Sequence, residues 1–174
     1  VDSSSWINES YLTLLKQRTV WDYSRENIDR LAARGIGGVQ YAPVGYMPQL
    51  TRIPFVEQDI DVLFYGLINE RRKNILEALI KCGLRVEFLS DVYREERDAY
   101  IARAKVVLNM HYYEEGVFET VRVSYLLANE KAVVAEYNGG AALDLSLGEA
   151  VCAVPYDALV ATCFALVNDN EQRV

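Results

Sequence analysis

Histidine occurs once in these 174 residues, at His111, and cysteine three times, at Cys82, Cys152 and Cys163. No Cys-x-x-Cys spacing is present, and three widely separated thiols fit neither a disulfide framework nor a zinc site. They are expected to be buried or half-buried thiols in a reducing cytoplasm, with no structural metal. No apolar run approaches the roughly 20 residues that span a bilayer, and no basic segment leads into an apolar one as in a signal peptide. Neither a GxGxxG fingerprint nor a P-loop is found. Positive charge is in deficit: 18 Lys and Arg against 25 Asp and Glu leave a formal charge of -7. That excludes broad nucleic-acid binding driven by phosphate neutralisation, while a local cluster of cations still allows one small anionic ligand. The opening Val1-Asp2-Ser3-Ser4-Ser5 has no start signature, so the chain is expected to be excised from a longer protein.

Hydrophobic residues make up 51% and charged residues 25%, ordinary proportions for a globular chain. The length accommodates one domain with a substantial core, or one domain plus a fragment of another. From residue 60 onward short apolar runs alternate with helical patterns. Asp61 to Gly66 reads as a buried strand ending at glycine, and Asn69 to Cys82 as a helix stopped by Gly83. Strands follow at Arg85–Leu89, Lys105–Met110, Ala132–Glu136 and Ala150–Val154, with helices at Tyr93–Ala104, about Phe118–Asn129 and Tyr156–Val167. Such alternation, with unbroken apolar strands, predicts an α/β fold: a Rossmann-like, doubly wound parallel sheet with helices on both faces. Ligands of such sheets sit beyond the carboxyl ends of the strands, where strand order reverses. The loops after Tyr65, Leu89, Met110 and Glu136 are therefore the ones that matter. Before them, Tyr11–Gln17 and Ser24–Arg34 read as helices and Thr19–Tyr23 and Val39–Ala42 as short strands, a fragment of a second α/β domain. The boundary falls near residues 44 to 58.

Three constellations carry polar chemistry. In Phe64-Tyr65-Gly66-Leu67-Ile68-Asn69-Glu70-Arg71-Arg72-Lys73 a strand ends in glycine and a helix opens with three cations. Glycine permits close backbone approach, and a helix N-terminus favours phosphate. A solvated basic helix start accounts for the same residues, and consecutive helical positions about 100° apart cannot all face one ligand. The second is the stretch from Asn109 to Arg122, which crowds titratable groups at a strand end. It holds His111, through which any imidazole chemistry must run, and Glu119 with Arg122 on one helix face. These two either form a surface ion pair or grip a hydroxyl and a phosphate. The third, Glu136-Tyr137-Asn138-Gly139-Gly140, permits a tight turn or bound backbone, and a plain loop serves equally.

The span from about Asp61 to Arg173 resembles the C-terminal, nucleotide-binding domain of GT-B-fold glycosyltransferases, closest to bacterial family 1-like proteins related to the spore-protein CgeB group. Val62-Leu63-Phe64-Tyr65-Gly66 with Asn69-Glu70-Arg71-Arg72, Ala104 to Asn109 with His111-Tyr112, and Phe118 to Asn129 carry the resemblance. Upstream, Val20 to Ser24 with Asn27, and Pro43 to Tyr46, resemble the end of the N-terminal domain and the interdomain crossing. The resemblance implies residues 1–50 as the C-terminal part of an N-terminal α/β domain plus linker, and residues 51–174 as a Rossmann-like donor-binding domain. It implies transfer of a sugar from a nucleoside diphosphate sugar to an unknown acceptor, without metal or further cofactor, in the cytoplasm. Gly66 and Asn69 would approach the diphosphate with Arg71 or Arg72 at its charge, and Glu119, Arg122 and Tyr125 would face ribose and sugar. His111 is a binding residue and the one catalytic candidate. Many enzymes of that fold bind ribose through a glutamate five residues before the glycine that ends this helix. By spacing, Tyr125 stands in its place here and Glu130 in the glycine's, leaving Glu119 to supply a carboxylate. The isolated chain is expected to transfer little sugar, and an exposed interdomain surface including Tyr41, Tyr46 and Met47 to drive homo-oligomerisation. Two other readings compete: a catalytically silent GT-B-like binding or assembly module, and an unrelated doubly wound domain of receiver or flavodoxin type. The strand ends offer Gly66, Ser90-Asp91 and Asn109 rather than a receiver's acidic cluster.

Overall fold

The computed structural model describes residues 7–114, 116, 118–139 and 150–173. The chain divides into two compact units, 1–45 and 46–174.

In the first unit, helix α1 (Glu9–Lys16) is capped by Asn8, whose side chain accepts from the Tyr11 amide at 3.0 Å. Strand β1 (Trp21–Asp22), helix α2 (Arg25–Ala33) and strand β2 (Gln40–Tyr41) form a βαβ unit, with Trp21 opposite Gln40 and Asp22 opposite Tyr41 in parallel register. Ser24 caps α2 by accepting from the Asn27 amide. The Asp22 carboxylate accepts from the Ser24 amide at 2.7 Å and so fixes the turn into the helix.

The second unit is built on five parallel strands in the order β4-β3-β5-β6-β7. These are β3 (Ile60–Tyr65), β4 (Val86–Leu89), β5 (Ala104–Asn109), β6 (Ala132–Glu136) and β7 (Cys152–Val154). Helices α3 (Glu70–Lys81), α4 (Arg94–Arg103), α5 (Thr120–Leu127) and α6 (Leu159–Asn168) connect or follow them, and α7 (Asn170–Arg173) ends the chain. The sheet is covered on both faces. Side-chain alternation along a strand sends Val62, Phe64, Val106, Leu108 and Val134 into one core with Ile75, Leu79, Leu159 and Cys163 of α3 and α6. Leu63, Tyr65, Val107, Val133 and Ala135 enter the other, with Ile101, Val123 and Leu126 of α4 and α5. β3 is buried throughout, which explains why it reads as an almost unbroken apolar run. Its one carboxylate, Asp61, is held at the amino end by the Arg85 amide and guanidinium and by Lys105 Nζ at 2.7 Å.

This is the doubly wound α/β architecture expected from the alternation. Apart from the start of α6, elements start and stop within two residues of expectation, and the differences have local causes. α5 begins at Thr120 because Glu119 has non-helical backbone angles (φ -80, ψ 63). α6 begins at Leu159 because a 3-10 turn, Tyr156–Ala158, precedes it after Pro155. Gly140, one of the third constellation's glycines, lies outside the described residues. No helix among the described residues is long and apolar enough to cross a membrane.

Because β4 lies on one side of β3 and β5 on the other, strand order reverses between β3 and β5. Tyr65 and Asn109, the last residues of those strands, bracket the switch point.

Candidate functional site

Gly66 leaves β3 with φ +139, backbone that L side chains rarely adopt. Its amide is held by the Leu89 carbonyl at 2.9 Å. A β-carbon built on Gly66 would lie 3.6 Å from Arg72 Nη1 and 3.8 Å from Arg122 Nη2. Two guanidinium groups, one from α3 and one from α5, thus flank a bare stretch of backbone at the switch point. Asn69 caps α3, its Oδ1 accepting from the Arg72 amide at 3.0 Å and its Nδ2 donating to the Tyr112 carbonyl at 2.7 Å.

The three consecutive cations diverge. Lys73 is exposed between Glu70 and Glu77. Arg71 turns to β6 and forms a bidentate pair with Glu136, Nη1 to Oε2 at 2.7 Å and Nη2 to Oε1, while stacking 3.9 Å over the Tyr156 ring. Arg72 is buried and donates to three carbonyls: Leu67 at 2.8 Å, His111 at 3.2 Å, and Met110. Its nearest carboxylate, Glu119, is 3.9 Å away. Arg72 is therefore a buried cation compensated mainly by dipoles, and burial lowers its pKa. Arg122 meets Glu119 at 3.0 Å, donates to Asn109 Oδ1 at 3.3 Å and lies 4.7 Å over the Tyr65 ring. Burial pushes the Tyr65 phenol up to about 12, with Arg122 and Arg97 pulling the other way.

His111 is also buried, and burial lowers its pKa below the ordinary imidazole value in spite of nearby Glu136 and Glu119. Its amide donates to Glu136 Oε2 at 3.0 Å, and Nδ1 lies 3.8 Å from Glu136 Oε1. A β-carbon on Gly116 would come within 2.5 Å of the ring, so the loop after β5 packs its backbone directly on the imidazole.

The structure thus brings together Gly66, Asn69, Arg71, Arg72, His111, Glu119 and Arg122. Tyr125 belongs to an adjoining network instead. Its hydroxyl donates to Asp98 at 2.7 Å and accepts from Arg52 Nε at 3.2 Å. Arg71, expected near phosphate, is engaged by Glu136. That glutamate and Asn109 head two of the three constellations read from the sequence, which assign neither of them a ligand. Glu136 is completely buried and ties together α3, the loop after β5 and Asn138. Burial raises its pKa, but Arg71, the His111 amide and Asn138 outweigh that and hold it below the usual carboxylate range. A glutamate closing an apolar strand was the signal available. Among the described residues no group of three His, Cys, Asp or Glu is placed to hold a metal ion.

No family model matches this sequence. Two uncharacterized proteins of Acanthamoeba polyphaga mimivirus are similar to it. L140 is 28% identical over 165 residues, which cover 89% of this chain and 53% of that protein. L138 is 31% identical over 106 residues, 59% of this chain and 12% of that protein. The chain thus spans about half the length of one relative and about an eighth of the other. The resemblance read from the motifs was to bacterial proteins, whereas these relatives are viral.

Proposed function

We propose that residues 46–173 are the donor-binding domain of a GT-B-type glycosyltransferase, taking a nucleoside diphosphate sugar at the switch point between β3 and β5. One observation carries this reading: Arg72 and Arg122 flank the bare backbone of Gly66 where strand order reverses. Positive groups fixed in place before the reaction stabilise the charge that develops on a departing diphosphate. Arg72 and Arg122 take that role. Arg71 does not: it holds Glu136, and through it the loop after β5 and Asn138.

Calorimetric titration with UDP, GDP and their sugars tests the proposal. Saturable binding of one nucleotide, weakened at least tenfold in Arg122→Ala, is expected, and the chain alone is expected to transfer little sugar to any acceptor. Absence of binding to every probe would sink the reading. A second reading, a binding module without catalysis, draws on Tyr125, which stands where many such enzymes place a ribose-binding glutamate and is bonded to Asp98. Sugar transfer by the longer protein would remove it.

A further inference from the structure

The charged groups at the switch point have partners, but three polar atoms beside them do not. Asn109 is 0% exposed, and its Nδ2 has no hydrogen-bond partner, although its Oδ1 accepts from Arg122. His111 is 4% exposed, and neither ring nitrogen has one. Buried polar groups are almost always paired, so an orphan of this kind marks the place of a water or a ligand. The orphans lie two residues apart at the exit of β5, while Met110 between them is buried in the α3–α6 core. Arg122, which holds Asn109, also lies beside Gly66, so the Asn109 side chain stands next to the cations.

The chemistry of the orphans restricts the ligand. Nδ1 of His111 lies 3.8 Å from the buried Glu136 carboxylate, which favours the proton on that nitrogen. Nε2 then keeps its lone pair. Asn109 Nδ2 can only donate, and Nε2 of the neutral ring can only accept. A phosphate oxygen would satisfy the first and repel the second. A hydroxyl satisfies both, its oxygen accepting from Asn109 and its proton going to His111. The carboxylates that would otherwise hold a hydroxyl are engaged: Glu119 by Arg122, Glu136 by Arg71, and Asp98 by Tyr125. We infer that Asn109 Nδ2 and His111 Nε2 form a neutral donor–acceptor pair that recognises a ring hydroxyl of the nucleotide sugar, on its ribose or on its transferred sugar. The inference rests on the proposed function and replaces carboxylate recognition of the diol within it. Gly116, packed against the imidazole, holds the ring ready before the ligand arrives.

His111 is the single histidine, so nitrogen-15 NMR of histidine-labelled protein reads it without ambiguity. Spectra at about pH 8 would be recorded for the free chain and with inorganic pyrophosphate, UDP, GDP, UDP-glucose and GDP-mannose, with affinities from calorimetry. The free chain is expected to show Nδ1 protonated and Nε2 bare. The nucleotide or nucleotide sugar that binds is expected to move Nε2 in the direction of an accepted hydrogen bond, and pyrophosphate to leave the ring unchanged. A response to the diphosphate places the hydroxyl on ribose, and a response to its sugar conjugate alone places it on the transferred sugar. His111→Phe is expected to weaken the responding probe about tenfold, the worth of one buried hydrogen bond, and pyrophosphate less than twofold. The inverse tautomer, a bound nucleotide sugar with an unmoved ring, or the same response to pyrophosphate overturns the inference and leaves donor binding standing. Failure of every probe to bind overturns both.

Discussion

Arg71 and Glu136, 65 residues apart in sequence, meet as a bidentate ion pair with the carboxylate completely buried. The pair joins the start of α3 to the end of β6, and the Tyr156 hydroxyl donates to the Arg71 carbonyl at 2.6 Å from the far side. Removing one partner of a buried pair leaves an uncompensated charge, which costs about 3 to 5 kcal/mol. Arg71→Ala is expected to lose that much unfolding free energy. In Arg71→Met/Glu136→Leu, where no charge is stranded, much of the loss should be recovered. Urea denaturation of the two variants measures both, and equal losses would refute this account.

Arg72 differs from its neighbour in kind. It uses the guanidinium fork on three carbonyls, and lysine, a compact point charge, cannot reproduce that geometry. Arg72→Lys is expected to cost about 1.5 to 3 kcal/mol, the range for hydrogen bonds to a charged group, and to weaken pyrophosphate binding. Lys73→Ala, one position on and exposed, should stay within about 0.5 kcal/mol of wild type. Chemical denaturation of both, with pyrophosphate calorimetry on the folded variants, decides it.

The contrast between these cations shows what was legible in the sequence. Buried parallel strands announce themselves as apolar runs, so β3, β5 and β6 and the glycine after β3 were readable, and Asn69 marked the start of α3. These narrow the ligand site to four strand-end loops, and the strand order, which only the fold supplies, picks out the pair after β3 and β5. The direction each arginine takes does not follow, because all but one of the acceptors that fix it, the Leu67 carbonyl on Arg72, lie 38 to 65 residues away. Asn109 could be placed at a strand end, but its unpaired amide is a property of the packed loop. Tyr125 stands at the position that a ribose-binding glutamate takes in the resembled fold, and only the fold reveals Asp98 beneath it.

Stability should have a plateau bounded on both sides. On the acid side Asp61, Asp98 and Glu136 are decisive. Burial pushes each carboxyl up, but Arg85 and Lys105, Tyr125 and Arg97, and Arg71 and the His111 amide respectively outweigh it and hold the pKa low. A depressed folded pKa gives stability that is present above the unfolded value, about 4, and lost as pH falls through the folded one. His111 acts with the same sign and earlier. Burial keeps its ring neutral, so below about pH 6.5 the unfolded chain binds the proton more readily. On the alkaline side Tyr65 and Cys163, both pushed up to about 12 by burial, favour folding until the unfolded groups ionise. Urea midpoints should therefore fall below about pH 6.5, more steeply below about pH 4, and again above about pH 9. A midpoint that rises on acidification would contradict the signs.

Gly116 gives a sharper test of the loop. Its missing side chain is what lets the backbone lie on His111, since a β-carbon there would be 2.5 Å from Cγ and 2.9 Å from Cδ2. Gly116→Ala must push the ring or the loop aside, at about 1 to 3 kcal/mol. The His111 ring signals should shift in the free protein, while the sheet amides stay in place. An unshifted ring would mean that the loop yields on its own.

Asn129, just past α5, does for residues 50–53 what Glu136 does for the switch point. Its Oδ1 accepts from the Arg52 and Ile53 amides at 2.8 and 2.9 Å, and its Nδ2 donates to the Leu50 and Tyr125 carbonyls. One buried amide side chain thereby satisfies four backbone groups, and Thr51 adds a bond to the Ala128 carbonyl at 2.8 Å. Alanine would leave those groups to find water, while aspartate could keep the two accepted bonds but not the two donated ones. Asn129→Ala is expected to cost about 2 kcal/mol. The loss should be local, because Arg52 still reaches Asp98 but its backbone no longer has a partner. Hydrogen exchange at the Arg52 and Ile53 amides should accelerate far more than exchange in β3 or β5. A uniform acceleration across the second unit would instead show that the anchor is part of the global fold.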